Sequence, residues 1–158
     1  MEENGQKLNF QKVDIKKVIA SAYRKILPLA LEKKIKIKVE SREGEIFGDE
    51  ESLEKMILIF LDNAVKYTPQ GGKVWLKSWR EKGKLVLEIK DTGIGISKTD
   101  LPHIFERFYR ADKARVKGGF GLGLALAKRI IEVHNGSVKV TSQVGKGTAF
   151  TIRFPTLK

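Results

Sequence analysis

The sequence predicts an α+β protein in which helices cover one face of a single mixed β-sheet. Two segments have the apolar spacing of amphipathic helices, and several short segments alternate between apolar and polar residues, as half-buried strands do. These segments do not follow a regular βαβ alternation, because strands come in runs with helices between them. The chain of 158 residues is long enough for one domain with a substantial core.

Three helices are predicted from capping residues and periodicity. The first begins at Asp14, whose carboxylate can cap a helix, and the second is opened by Gly48 and Asp49. Pro69 and the glycines after it end the second helix, and a third covers residues 122–134. The predicted apolar faces are Ile15, Val18, Ile19, Ala22, Ile26 and Leu29 in the first helix, and Leu53, Met56, Ile57, Phe60, Leu61 and Ala64 in the second.

Six strands are predicted from alternation, and one long segment has no sustained period. That segment, residues 94–119, is interpreted as a loop with short helical pieces, and a loop of this length inside a compact domain is usually functional or mobile. The strands are predicted at residues 34–40, 45–47, 74–79, 85–89, 137–143 and 148–154.

The composition excludes some classes of protein and leaves others open. The absence of cysteine excludes disulfides and thiolate metal sites. No apolar run approaches the roughly 18 residues of a membrane span, and the first ten residues do not form a secretion signal. The net charge of +12, from 31 basic and 19 acidic residues, fits a polyanionic partner and fits equally a lysine-rich solvated surface.

The end of the second predicted helix carries a possible phosphate and metal site. Asn63, Lys66 and Tyr67 are spaced i, i+3 and i+4 and so share a helix face. An amide oxygen suits Mg²⁺, which usually shares substrate phosphates, and the lysine could contact the same phosphates. A solvated helix end explains these residues as well.

A carboxylate beside two glycines follows the predicted strand at residues 85–89. An ionised carboxylate such as Asp91 only accepts hydrogen bonds, so it suits an exocyclic amine such as that of adenine. Gly93 and Gly95 would let a ligand approach the backbone closely. The alternative is an ordinary glycine turn after a strand.

Four glycines in the stretch GGFGLGL, residues 118–124, lead directly into the third predicted helix. Exposed backbone N–H groups at a helix N-terminus form an anion site, which favours a phosphate ligand over a flexible hinge. No Walker loop is present, because none of the Gly-Lys pairs is followed by Ser or Thr. The dinucleotide fingerprint is incomplete, because Leu126 stands where it needs its third glycine.

In this order, the three stretches resemble the catalytic and ATP-binding domain of bacterial sensor histidine kinases. That domain has the Bergerat fold of the gyrase, heat-shock-90 and mismatch-repair ATPases. LDNAVKYTP is similar to its N box, DTGIGI to its G1 box, FERFYR to its F box and GGFGLGLALA to its G2 box, and GKGTAF resembles the stretch before its last strand. The resemblance implies a two-layer α/β sandwich at residues 13–156, with about three helices and a mobile ATP lid at about 96–118. Residues 1–12 would be a linker remnant from a missing dimerisation and phosphoacceptor domain.

The resemblance also implies a role for each matching residue. Asp91 would hold the adenine amino group, Asn63 would hold Mg²⁺, and Arg110 would face the phosphates. Catalysis would depend on Asn63, Lys66 and Arg110. The residues assigned to the nucleotide are Asn63, Lys66, Tyr67, Asp91, Gly93, Ile94, Gly95, Gly119, Gly121, Leu122, Gly123, Leu124 and Thr148.

Phe105 and Phe108, in the F-box stretch, would anchor the lid and contact the phosphoacceptor helices. Core packing of a short helix is the alternative for this pair. Phe120 stands where the family usually has a small hydroxyl residue, which puts a side-chain hydrogen bond there in doubt.

Ile59 stands one turn before Asn63, where hydrolysing relatives carry a glutamate as the base for water, and this argues against efficient hydrolysis. Neither His103 nor His134 resembles the acceptor histidine, because neither is followed by an acid. The expected function is therefore transfer of the γ-phosphoryl group of Mg-ATP to a histidine on a separate dimerisation domain.

The resemblance implies further partners and a location. A response regulator would receive the phosphoryl group next. The fragment is expected to be a cytoplasmic monomer that contacts neither nucleic acid nor membrane, and the full-length kinase a homodimer. The alternatives are an ATPase of the gyrase class, an anti-sigma-type kinase acting on Ser or Thr, and a basic nucleic-acid-binding domain whose affinity would be sensitive to salt.

Overall fold

Nine strands, three α-helices and a 3₁₀ turn make up the part of the chain that the computed structural model describes, which is residues 2–3, 6–109 and 121–157. In chain order they are β1 Glu2–Glu3, β2 Gln6–Lys7, β3 Phe10–Asp14, α1 Ile15–Glu32, β4 Lys36–Ser41, β5 Glu45–Asp49, α2 Glu50–Tyr67, β6 Lys73–Glu81, β7 Lys84–Asp91, the 3₁₀ turn Leu101–His103, α3 Gly121–Val133, β8 Ser137–Gln143 and β9 Gly147–Pro155.

The main sheet has five strands in the order β4-β6-β7-β9-β8. Strands β4 and β6 run parallel and the other pairs are antiparallel, so the sheet is mixed, as predicted. A separate antiparallel pair joins β3 to β5. The sequence pattern did not predict β3, because its two apolar residues, Phe10 and Val13, are three positions apart and do not alternate, and only Val13 is buried.

The helices pack on one face of this sheet, with α2 between α1 and α3. The predicted cap is confirmed, because Asp14 accepts a hydrogen bond from the Lys16 N–H at 3.0 Å. Asp49 also caps the second helix by accepting one from the Ser52 N–H at 2.9 Å. All six predicted apolar positions of α2 are buried. The ring centroid of Phe60 lies 4.8 Å from that of Phe150 on β9, so α2 packs directly on the middle of the sheet.

One predicted core position in α1 is wrong. Leu29 is 49% exposed, and Ala30 occupies the core position instead. The cause is the helical period, because Ala30 continues the four-residue spacing of Ala22 and Ile26 and so lies on the buried face, whereas Leu29 lies beside it. Among the described residues, no helix combines the length and the apolar character that a membrane span requires.

His134 is a core residue whose two ring nitrogens are both occupied. It is 4% exposed, its Nδ1 pairs with the Ile130 carbonyl at 2.8 Å, and its Nε2 accepts the Asp49 N–H at 3.0 Å. The ring therefore has to be neutral with its proton on Nδ1, a tautomer assigned from these partners. Its ring also stacks on Phe10 at 4.8 Å, which ties β3 and β5 to the end of α3.

The substitution His134→Ala is expected to lower the free energy of unfolding by about 3 kcal/mol, because it leaves a cavity and a buried Asp49 N–H without an acceptor. Urea unfolding followed by circular dichroism measures this loss. His103, whose side chain is 46% exposed, supplies the control, and His103→Ala should cost about 0.5 kcal/mol or less. Equal losses for the two variants would contradict the assignment of His134 to the core.

Candidate functional site

A row of polar side chains begins where the apolar face of the sheet ends. The strand register places Asp91 opposite Thr148 and Thr148 opposite Ser142. The preceding row on the same face pairs Ile89 with Phe150, and both are buried against the helices. Polar groups therefore enter the interface between sheet and helices at one end, which is where a site can form.

Asp91 is a buried carboxylate in which one oxygen accepts two hydrogen bonds and the other accepts none from the described residues. The residue is 5% exposed, and its Oδ1 accepts hydrogen bonds from the N–H groups of Gly93 at 2.8 Å and Thr148 at 3.2 Å. Burial raises the pKa of Asp91 to about 6, against the opposing effect of these two hydrogen bonds. No described residue donates to Oδ2, which leaves an ionised acceptor for a ligand at neutral pH.

The glycines after Asp91 hold this loop against α2 and the β8–β9 turn. A methyl group at Gly93 would lie 2.5 Å from the Tyr67 carbonyl oxygen, and the same oxygen accepts the Ile94 N–H at 3.0 Å. Gly95 has φ of +78°, and a methyl group there would lie 2.2 Å from the Gln143 carbonyl oxygen. In the described structure, both glycines let their own backbone approach another backbone segment closely. The predicted approach of a ligand to these glycines stays a prediction.

The C-terminal turn of α2 places the predicted phosphate and metal residues beside this loop. Tyr67 is half-buried and packs against the core. Asn63 is half-buried, and Lys66 is exposed and forms an ion pair with Asp62 at 3.0 Å. Exposed pairs of this kind contribute little, so the Lys66 ammonium can exchange Asp62 for a stronger anion.

A cavity of about 610 Å³ lies between α2 and α3, on the side of α2 that carries Ile59. Ile59 lies on its wall, one helical turn before Asn63, and a methyl group at Gly123 would lie 3.6 Å from the Ile59 side chain. Three cations and no carboxylate are found among its lining residues in the described chain, and such a rim attracts anions. The lining residues are Lys55, Ile59, Arg107, Gly123, Ala125, Leu126 and Arg129.

The glycine-rich stretch is only partly within the described residues. Gly121 and Leu122 open α3, and the Leu124 side chain is buried in the core. Arg110 and Gly119, together with the departure at Phe120, lie outside the described residues.

The first part of the predicted lid is packed onto the domain. Ile104 is fully buried, and the ring centroid of Phe105 lies 6.1 Å from that of Phe150. Phe108, in contrast, is 70% exposed. Core packing of both rings on one short helix does not occur, because the only helical piece described in this segment is Leu101–His103 and Phe108 has a left-handed φ of +67°. Phe105 therefore packs on the core and Phe108 does not.

Ser142 is a residue of the site that the sequence did not reveal. Its hydroxyl donates to the Gly147 carbonyl at 3.0 Å, pairs with the Thr148 hydroxyl at 2.8 Å and accepts the Ile96 N–H at 2.7 Å. It therefore joins the β8–β9 hairpin to the first residues of the predicted lid. The sequence places Ser142 and Thr148 on either side of the Gly145–Gly147 turn. Their pairing could be predicted only with the register of the β8–β9 hairpin, which the sequence does not give.

Comparison with known proteins gives consistent matches in sequence and in structure. The family model described as "Histidine kinase-, DNA gyrase B-, and HSP90-like ATPase" matches residues 48–158. The signal transduction histidine-protein kinase ArlS of Staphylococcus aureus (strain USA300) is 43% identical over 116 residues, which are 72% of this chain and 26% of ArlS. The chain thus spans about a quarter of the length of that relative.

Two solved structures share the fold closely. The mycobacterial sensor histidine kinase MprB superposes with a TM-score of 0.83 at 31% identity, covering 92% of this chain and 98% of that one. Full-length ShkA, crystallised in complex with AMPPNP, has a TM-score of 0.83 at 30% identity and covers 96% of this chain and 32% of its own.

Proposed function

Because the chain belongs to the family of histidine kinase-, DNA gyrase B- and HSP90-like ATPases, we propose that it binds Mg-ATP and transfers the γ-phosphoryl group to a histidine on a separate dimerisation domain. In this reaction the bond between the γ-phosphorus and the β–γ bridging oxygen breaks, and a bond to an imidazole nitrogen forms. ADP leaves, and the imidazole gives up its proton. The chain's own residues bind and orient the nucleotide.

The observation that carries the proposal is the unused Oδ2 of Asp91. Only Oδ1 of this carboxylate has donors among the described residues, and Oδ2 is left open to a donor from a ligand. An adenine amino group supplies the missing donor to a group that only accepts. Thr148, fixed by Ser142, lies beside the same carboxylate.

The metal would depend on the nucleotide. No group of three or more His, Asp or Glu residues in the described chain is arranged to hold an ion. Asn63 fits a supporting role, because Mg²⁺ is commonly held by one or two protein oxygens together with substrate phosphates and water. When bound, the ion would neutralise phosphate charge, and Lys66 and the cations around the cavity would neutralise the remainder.

The cavity favours transfer over hydrolysis. A hydrolytic ATPase needs a base for water, and the described lining of the cavity contains no carboxylate or histidine. Ile59 fills the wall one turn before Asn63. His134 is buried with both ring nitrogens occupied, so it cannot act as the acceptor. His103 is exposed and does not resemble the acceptor histidine of the family, because no acid follows it. We therefore place the acceptor histidine on a separate domain.

The whole protein is then a cytoplasmic kinase domain joined to a dimerisation and phosphoacceptor domain, in a homodimer that passes its phosphoryl group to a response regulator. Residues 1–12 would connect to that acceptor domain and residues 13–156 would form the catalytic domain, with a lid at about 96–118. The last of the connecting residues, Phe10, Gln11 and Lys12, already pair with β5.

The transfer is tested by adding a His-bearing dimerisation domain and γ-labelled ATP to the chain. The proposal predicts acid-labile label on the added domain and little ATP turnover by the chain alone. Steady ATP hydrolysis without the added domain would favour a gyrase-type ATPase. Acid-stable label on Ser or Thr would favour an anti-sigma-type kinase.

Asn63→Ala is expected to weaken binding of Mg-AMPPNP by about tenfold, because one oxygen ligand to the ion is lost. Calorimetry with Mg²⁺ and with EDTA measures the effect, and the two proteins should bind alike when EDTA removes the metal. Asn9→Ala removes an exposed amide far along the chain and serves as the control. A loss that persists unchanged in EDTA would contradict the metal role of Asn63.

A further inference from the structure

The C-terminal turn of α2 is held by the side chain of a residue outside that helix, Lys33. Its ammonium donates to the carbonyl oxygens of Val65 at 2.8 Å and Lys66 at 2.7 Å. The next carbonyl, that of Tyr67, accepts the Ile94 N–H at 3.0 Å. Three consecutive carbonyls at the end of the helix are therefore all paired with distant parts of the chain.

The end of α1 determines where Lys33 points. Lys34 has φ of +59°, its N–H donates to the Leu31 carbonyl at 3.0 Å, and the Ile35 N–H donates to the Ala30 carbonyl at 2.8 Å. These two bonds form a Schellman motif, in which the buried Ile35 fixes the exit of the chain. Lys33 is the last residue before the left-handed position, and its half-buried side chain lies across α2.

The hydrogen bonds from the Lys33 ammonium to the end of α2 belong to a strong class of hydrogen bond. The last four carbonyls of a helix have no partner within it and carry the negative end of the helix dipole, so a cation is favourable there. Both bonds have a charged donor, which makes them stronger than neutral hydrogen bonds. Exposed Lys34, one residue along, makes no side-chain hydrogen bond to α2 in the described structure.

This same turn carries Asn63, Lys66 and Tyr67. We infer that Lys33 is a positioning residue for the nucleotide site: by holding the last turn of α2 it fixes the amide and the ammonium that meet the phosphates. The inference rests on the proposed nucleotide-binding function. The hydrogen bonds of Lys33 go to backbone only, so it acts through α2.

A purely structural tie between α1 and α2 would predict a different outcome. It would lower stability without changing the affinity of the folded protein for nucleotide. A positioning role predicts weaker binding at temperatures where every variant is folded, and rescue by a side chain that restores the two donors. Arginine can restore them, because its guanidinium presents several N–H groups in one plane.

The experiment measures Mg-AMPPNP affinity by calorimetry for wild type, Lys33→Met, Lys33→Arg and Lys34→Met. Methionine keeps an unbranched apolar stem that ends at Cε and removes the donors. We expect Lys33→Met to bind about tenfold more weakly and the other two variants to stay within about threefold of wild type. If Lys33→Met binds like wild type, or if Lys33→Arg binds as weakly as Lys33→Met, the inference is overturned.

Hydrogen exchange without nucleotide separates this inference from the proposed function. The Ile94 amide, bonded to Tyr67, should exchange about tenfold faster in Lys33→Met than in Lys34→Met, because the turn that holds its acceptor is released. Unchanged exchange would show that Lys33 does not hold the turn. A wild-type chain that binds no nucleotide would overturn the proposed function and the positioning role with it, whatever the exchange rates.

Discussion

Replacing Asp91 by Asn is expected to weaken adenine nucleotide binding by about 100-fold or more, while the protein stays folded. The two backbone N–H groups of Gly93 and Thr148 need an acceptor at the Oδ1 position. The amide oxygen of Asn would take that place, which forces its NH₂ group into the Oδ2 position. A donor would then face the adenine amino group, itself a donor.

The same substitution should leave the unliganded protein as stable as wild type or more stable at neutral pH. Burial raises the pKa of Asp91 to about 6 from its ordinary value of 3.8, so the folded state binds more protons than the unfolded state between these values. The contribution of this group to the free energy of unfolding therefore falls as pH rises from about 4 to about 6, by 2–3 kcal/mol as an order of magnitude, and is constant above that. An amide side chain at this position cannot ionise and has no such cost.

Calorimetry and urea unfolding at pH 4.5 and 7.5 test both parts of this prediction. Glu88→Gln, on the opposite face of the same strand, is the control and should keep the affinity of wild type. Tight nucleotide binding by Asp91→Asn, or a loss of stability at pH 7.5 large enough to unfold it, would count against the assignment.

Replacing Gly147 by Ala should damage both the fold and the site, whereas the same change at Gly145, two residues earlier, should be mild. Gly147 has φ of +132°, and a methyl group there would lie 2.0 Å from the Asp91 carbonyl oxygen, a backbone atom that cannot move without moving β7. Gly145 also has positive φ, of +83°, but open space surrounds it. The pair separates the strain of positive φ from the collision with the strand that carries Asp91.

For Gly147→Ala we expect a stability loss of at least about 3 kcal/mol, against about 1 kcal/mol for Gly145→Ala. Among the folded molecules, nucleotide affinity should fall about tenfold or more in Gly147→Ala, because the Asp91 carboxylate is displaced, and should hardly change in Gly145→Ala. Unfolding in urea and calorimetry on the same samples provide both numbers. Equal effects of the two substitutions would mean that the approach of Gly147 to Asp91 does not control the site.

Much of the fold follows from local pattern, as the second helix illustrates. Its six apolar positions recur with the period of an α-helix, and burial of one face is enough to predict them. Strand β3 shows the limit, because a short strand with only Val13 buried depends on pairing with β5 for its existence. Phe108 shows a second limit, because a spacing of three residues from Phe105 places both side chains on one face only if the chain between them is helical.

The candidate site divides in the same way. Asp91 and the residues at the end of α2 were indicated by residue type and by resemblance to a family. Ser142 and Lys33 were not, because their roles come from a strand register and from a contact between two helix ends that no local pattern contains. The pKa of Asp91 likewise depends on burial beneath groups that are distant in sequence. The assignments of Arg110 and Gly119 stay predictions.

The central claim, that Asp91 recognises the amino group of adenine, is tested most directly by removing that amino group from the ligand. Calorimetry should compare the Mg complexes of ADP and inosine diphosphate, which carries an oxygen at the same position of the purine. Wild type should bind ADP about 100-fold more tightly, because the oxygen of the inosine base would face an ionised carboxylate. Equal affinities for the two diphosphates would contradict it.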